Sequence, residues 1–151
     1  MRLWLLRHGE AAAYARSDAE RPLTARGRDE VRCSAEHLRG QALQRILVSP
    51  YLRAQQTAEL VRSTLNLDLP LTTLDWLTPD DDPREVARHL DPFEGGDVLV
   101  VSHNPLLGEL VGFLVHGHLQ LPAAMRTASL AALDGDLIMP GAMQLSALHH
   151  P

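Results

Sequence analysis

The sequence predicts an α/β protein with three α/β/α layers, a mostly parallel central sheet flanked by helices, in a single domain over residues 1–151. Three observations predict it. Short apolar runs alternate with helical patterns through the first two thirds of the chain. Three of those runs stop abruptly at polar residues: Leu3–Leu6 at Arg7-His8-Gly9, Ile46–Val48 at Ser49-Pro50, and Val98–Val101 at Ser102-His103-Asn104. The length of 151 residues, with 45% hydrophobic and 22% charged residues, suits one full core.

Residues 2–7 read as the first strand, and residues 10–23 as a loop broken by Ser17, Asp18 and Pro22. Thr24 reads as the N-cap of a helix running to about Leu38, with Val31, Ala35 and Leu38 at helical spacing and Gly40 as its stop. Residues 45–48 form a short second strand, and residues 51–65 a helix with Ala54, Ala58, Val61 and Leu65 on one face. Residues 69–74 read as an edge strand, because Pro70 has no N–H for a central ladder. The acidic stretch 78–83 reads as a loop, and 84–90 as a short helix. Residues 97–101 form the clearest buried strand, and Pro105 suits the first turn of a helix running to about Val115. Two further strands are predicted at 127–133 and 143–148, with turns at Gly135 and Pro140-Gly141.

Composition narrows the function. A net charge of −5 with no basic stripe argues against nucleic-acid binding. The apolar runs are too short to span a bilayer, and the first segment lacks the apolar length and small-residue cleavage pattern of a signal peptide. The lone Cys33 excludes an internal disulfide framework and reads as a small helix residue rather than a reactive thiol. A cytoplasmic, monomeric protein without a membrane partner is expected.

In a parallel sheet, strands that alternate with helices all end at one edge, where ligands of open α/β folds bind. The prediction therefore brings His8, Ser49 and His103 together. Arg7 offers a fork of donors that fits phosphate oxygens, neutral His8 is a nitrogen nucleophile, and Gly9 admits close backbone approach. Arg53, in the first turn of a helix, lies near backbone N–H groups that favour an anion. Each residue has a plainer reading. Arg7-His8 could be a solvated pair, Arg53 a surface helix residue near Glu59, His103 a satisfied core histidine, and Arg21 a solvated loop cation. Thr24 reads as a cap rather than a ligand. The pairs His116/His118 and His149/His150 lack the carboxylates or thiolates of a metal site, and the second pair reads as a terminal tail. No metal and no cofactor is expected.

Four segments, in order, carry a resemblance: Leu5-Leu6-Arg7-His8-Gly9-Glu10, Pro22-Leu23-Thr24-Ala25-Arg26-Gly27, Val48-Ser49-Pro50-Tyr51-Leu52-Arg53-Ala54-Gln55-Gln56-Thr57-Ala58 and Val100-Val101-Ser102-His103-Asn104-Pro105. Together they resemble the histidine phosphatase superfamily, which implies a phosphoglycerate mutase-like fold. Arg21-Pro22-Leu23-Thr24 and Leu77-Thr78-Pro79 are similar to its SixA-type phosphohistidine phosphatase branch. Larger relatives, the phosphoglycerate mutases and sugar bisphosphatases, carry an inserted segment whose acidic residue protonates the leaving oxygen. No such segment is found here. Glu10, Asp80, Asp81 and Asp82 are the nearest acids, and none fits the family pattern.

The resemblance implies His8 as nucleophile through a phospho-His8 intermediate, Arg7, Arg53 and Arg21 on the phosphoryl oxygens, and His103 as a further donor. The implied substrate is a phosphohistidine-bearing protein, such as a phosphotransfer domain or a phosphotransferase-system-like protein in signalling. The missing acid agrees with it, because an imidazole leaves more easily than an alkoxide. The alternatives are a small-molecule phosphomonoesterase of the same fold and a non-catalytic phosphoprotein-binding module. A mutase is disfavoured by the short chain.

Overall fold

The structure is a computed structural model, and it describes residues 1–93 and 96–151. Six strands form one sheet: β1 (Arg2–Arg7), β2 (Leu43–Val48), β3 (Leu71–Thr73), β4 (Asp97–Ser102), β5 (Leu130–Asp134) and β6 (Gln144–His149), in the order β3-β2-β4-β1-β5-β6. The first four are mutually parallel; β5 runs antiparallel to β1, and β6 runs antiparallel to β5 and so points the same way as the first four. The predicted three-layer architecture is present, with a mixed rather than wholly parallel sheet.

Alternation along the strands builds the two sides. Leu3, Leu5, Leu47, Val98 and Val100 face a core with α3 (Pro83–Leu90) and α4 (Leu106–His116). Trp4, Leu6, Ile46, Val48, Leu99 and Val101 face the other core, under α1 (Ala25–Ala35) and α2 (Leu52–Leu65). Side chains one residue apart point to opposite faces, so a central strand with a helix layer on each side must be apolar throughout.

Most predicted elements lie within a few residues of their places. Thr24 caps α1, accepting from the Gly27 amide at 3.0 Å. That helix stops at Ala35 and tightens into a 3-10 turn over Glu36–Leu38, three residues before the α-helical end that was expected. Cys33 lies in α1 and is exposed. Asp82 caps α3, and Pro83 takes its first turn. Pro105 precedes α4 instead of occupying its first turn. The edge strand β3 is shorter than expected and begins just after Pro70.

Two expectations need correction. Residues 127–129 do not begin β5. Arg126 N–H donates to Ser129 Oγ at 2.8 Å, Ser129 N–H donates to the Arg126 carbonyl, and Ala128 takes a left-handed φ of 58°. This local turn competes successfully with the ladder. Nor is His149 part of a tail: it ends β6, where its ring stacks on His37 at 3.7 Å, while His150 Nδ1 lies 2.6 Å from Ser129 Oγ. Among the described residues, no helix is long and apolar enough to cross a membrane.

Candidate active site

Strand register decides what meets at the sheet edge. β1 pairs with β4 so that Arg7 lies opposite Ser102, and β2 pairs with β4 so that Val48 lies opposite Val101. The next residues of each strand therefore converge. His8 N–H donates to the Ser102 carbonyl and Ser49 N–H to the Val101 carbonyl, both at 3.0 Å. The antiparallel β5 starts where the parallel strands stop, which brings the turn before it to the same edge. Arg7 N–H donates to the Ser129 carbonyl, and Ala128 N–H to that of His8.

His8 is buried, and its Nδ1 lies 2.7 Å from the Gly9 carbonyl. A carbonyl only accepts, so the proton of the neutral ring sits on Nδ1 and the lone pair on Nε2. Nε2 in turn accepts from Arg53 Nε at 3.3 Å. Burial pushes the His8 pKa down to about 4, opposed by the Gly9 hydrogen bond and assisted by the charges of Arg53, Arg7 and Arg21. His8 is thus an unprotonated imidazole near neutral pH.

His103 is almost fully buried, its ring centroid 5.0 Å from that of His8. Burial, with the positive charges nearby, pushes its pKa down to about 3. Ser49 Oγ accepts from the Tyr51 amide and lies 2.7 Å from His103 Nε2. The hydroxyl proton is free to point at Nε2, and in that arrangement the ring proton of His103 sits on Nδ1.

Among the described residues, three buried side-chain nitrogens have no hydrogen-bond partner, and two of them are at this site: His103 Nδ1 and Arg7 Nε. Unpaired buried donors are costly, so two of them near His8 mark a place suited to an acceptor-rich anion. Arg7 is further held by its Nη1 donating to the Met125 carbonyl at 3.0 Å. Asn104 grips that same carbonyl through Nδ2 at 2.9 Å.

Arg21 and Arg53 meet at Asp18, which in the sequence reads only as a loop breaker. Asp18 accepts from Arg21 Nε through Oδ1 at 2.9 Å and from Arg53 Nη2 through Oδ2 at 3.2 Å, while its carbonyl accepts from Arg53 Nη1 at 2.7 Å. The only sequence signal was its spacing of three from Arg21 in a turn. Thr57 was missed too. Its hydroxyl donates to the Arg53 carbonyl and accepts from the Gly9 amide, tying the nucleophile's loop to α2. It sits one helical turn beyond Arg53, a spacing that could have flagged it.

Arg7, His8, Glu10, Asp18, Arg21, Arg53, Asp80 and Thr127 are among the residues that line an open cleft of about 420 Å³, with His103 buried beneath it. Four of the five predicted site residues, Arg7, His8, Arg21 and Arg53, line this cleft, and His103 lies behind them against His8. Of the four candidate acids, Glu10 and Asp80 line the cleft. Asp81 instead binds the Thr78 amide and hydroxyl, and Asp82 caps α3. His116 and His118 stack on each other away from these groups, and no cluster of three metal-binding side chains exists among the described residues.

Known proteins resemble this chain in sequence and fold. Residues 3–78 match the model of the histidine phosphatase superfamily, branch 1. The chain is 43% identical to the phosphohistidine phosphatase SixA of Escherichia coli K12 over 141 residues, covering 90% of this chain and 86% of that one. It is 36% identical to the SixA homolog of Haemophilus influenzae, covering 76% and 77%. A solved structure of the protein histidine phosphatase SixA complexed with tungstate superposes with a TM-score of 0.91 at 39% identity, covering 100% of this chain and 97% of that one. The chain therefore belongs to the histidine phosphatase superfamily, with SixA proteins among its relatives.

Proposed function

We propose that this protein is a phosphohistidine phosphatase that removes the phosphoryl group from a histidine of a signalling or phosphotransfer protein, through a phospho-His8 intermediate. The observation that carries the reading is the His8 ring. Its proton is held on Nδ1 by Gly9 and its Nε2 lone pair lies among guanidinium groups.

In the first step Nε2 attacks phosphorus in line with the leaving nitrogen. The new P–N bond forms as the substrate's P–N bond breaks. The substrate imidazole carries its proton on its other ring nitrogen and departs neutral, so the enzyme need not supply one. The His8 ring becomes cationic, and the Gly9 carbonyl facing Nδ1–H stabilises that charge. Arg7, Arg53 and Arg21 hold the non-bridging oxygens, and His103 Nδ1–H donates to the same group. Positioned charge of this kind carries most of phosphoryl-transfer catalysis. Water then attacks phosphorus, the P–Nε2 bond breaks, the electron pair returns to Nε2, and the water proton leaves with phosphate or to solvent.

The name and the tungstate of the SixA relatives support this substrate and an oxyanion at the site. Asp18, held ionised by Arg21 and Arg53, is not a proton donor. A phosphomonoesterase would need one, and Glu10 and Asp80 are the acids that the cleft offers it. The test is phosphate release from a phosphohistidine-bearing phosphotransfer protein beside a panel of small phosphoesters, for wild type and His8→Ala. Release from the protein alone, lost in the variant, is expected. Faster turnover of an ester would move the reading to the phosphomonoesterase. Binding without release would leave the phosphoprotein-binding module.

A further inference from the structure

Arg53 is nearly fully buried, and all three of its nitrogens are engaged before any substrate arrives. Nε points at the nucleophile, and both Nη atoms hold Asp18. Arg21 is held likewise, by the Asp18 carboxylate and the Ala12 carbonyl. The Asp18 carboxylate therefore stands where two guanidinium forks would otherwise receive phosphoryl oxygens. A carboxylate inside an anion site weakens ground-state capture of an anion, and nothing in the hydrolysis described above requires it. Its side chain is 60% exposed, so it is not there to fill the core. What it does uniquely is bridge two arginines from separate segments, the loop and α2.

We infer that Asp18 is a positioning residue whose carboxylate aims Arg53 at the His8–phosphoryl axis and exchanges its arginine contacts with phosphoryl oxygens, so that product phosphate is held loosely and leaves. The attached main chain keeps its carbonyl on Arg53 Nη1 throughout. Substrate binding then needs no large rearrangement, only the swing of one short side chain. The carboxylate also offsets the repulsion among Arg7, Arg21 and Arg53 in the empty site.

This assignment rests on the phosphoryl-transfer reading of the cleft, and its test separates the two. Inorganic phosphate is titrated calorimetrically into wild type, Asp18→Asn, Asp18→Ala and Asp18→Glu, and kcat is measured with the phosphohistidine protein. Removing the competing carboxylate should tighten phosphate about threefold, the size expected for an ion pair whose carboxylate is open to solvent. The misaimed Arg53 should cut kcat by about tenfold or more. The Glu variant should return both values toward wild type. A purely structural role would weaken phosphate and slow turnover together, and that result overturns the inference. So would Asn and Ala variants that match wild type in both. Wild-type protein that binds no phosphate would instead overturn the reading of the cleft itself.

Discussion

At the scale of single residues, the chemistry depends on which ring nitrogen carries a proton, and neighbours decide that. Gly9 sets the tautomer of His8, and Ser49 Oγ is the partner of His103 Nε2. Ser49 touches no phosphoryl group in this scheme, yet it holds the His103 donor in place, as outer partners do around other reactive imidazoles. Ser49→Ala should therefore lower kcat by roughly ten- to a hundredfold with little change in KM, measured by steady-state phosphate release. An unchanged kcat would remove Ser49 from the machinery. The meeting of Arg7, His8, Arg53 and His103 was legible because each ends or follows a strand or lies in the first turn of a helix. Asp18 was not, because a carboxylate in a polar loop looks the same in sequence whether it bonds solvent or two arginines.

At the scale of elements, close packing at two glycines fixes the nucleophile's loop. A Cβ on Gly27 would sit 2.1 Å from the Glu10 carbonyl oxygen, and one on Gly9 would sit 2.7 Å from the Gly27 carbonyl. Backbone cannot yield as a flexible side chain does. Gly27→Ala should cost about 1–3 kcal/mol through overpacking, read by urea denaturation, and should slow turnover because Glu10 follows Gly9. A variant as stable as wild type would show that the loop has room. The start of α1 was legible because Thr24 caps it, whereas the starts at Asp82-Pro83 and after Pro70 lie one and two residues from the expected 84 and 69. The start of β5 was not legible, because the hydrogen bonds between Arg126 and Ser129 that delay it form between residues with no turn signature in sequence.

At the scale of the whole molecule, burying two histidines at one edge has a consequence for acid stability. Folded His8 and His103 hold pKa values near 4 and 3, below the unfolded value near 6.5. Above pH 6.5 both states leave them neutral, and they contribute no pH dependence. As pH falls below 6.5 the unfolded chain takes up protons first, so stability is lost through the window from about 6.5 down to 4 and 3. Urea midpoints at pH 7, 6, 5 and 4 should fall steeply for wild type and less steeply for a His8→Asn/His103→Asn double variant. Equal slopes would place the acid sensitivity elsewhere.

By itself the sequence determined the layer order, the parallel centre of the sheet and the edge at which the strand ends carrying Arg7, His8 and His103 meet. Periodicity is a local property, and parallel strands that alternate with helices must end at a common edge. Only the tertiary structure decided that β5 runs antiparallel to β1 and β6 to β5, that the turn at 125–129 supports Arg7, that His149 stacks on His37, and that Asp18 joins Arg21 to Arg53. Each of these is a contact between segments distant in the chain or between side chains in an irregular loop. Such contacts are set by how the sheet registers and the loops close, not by the residue pattern around any one of them.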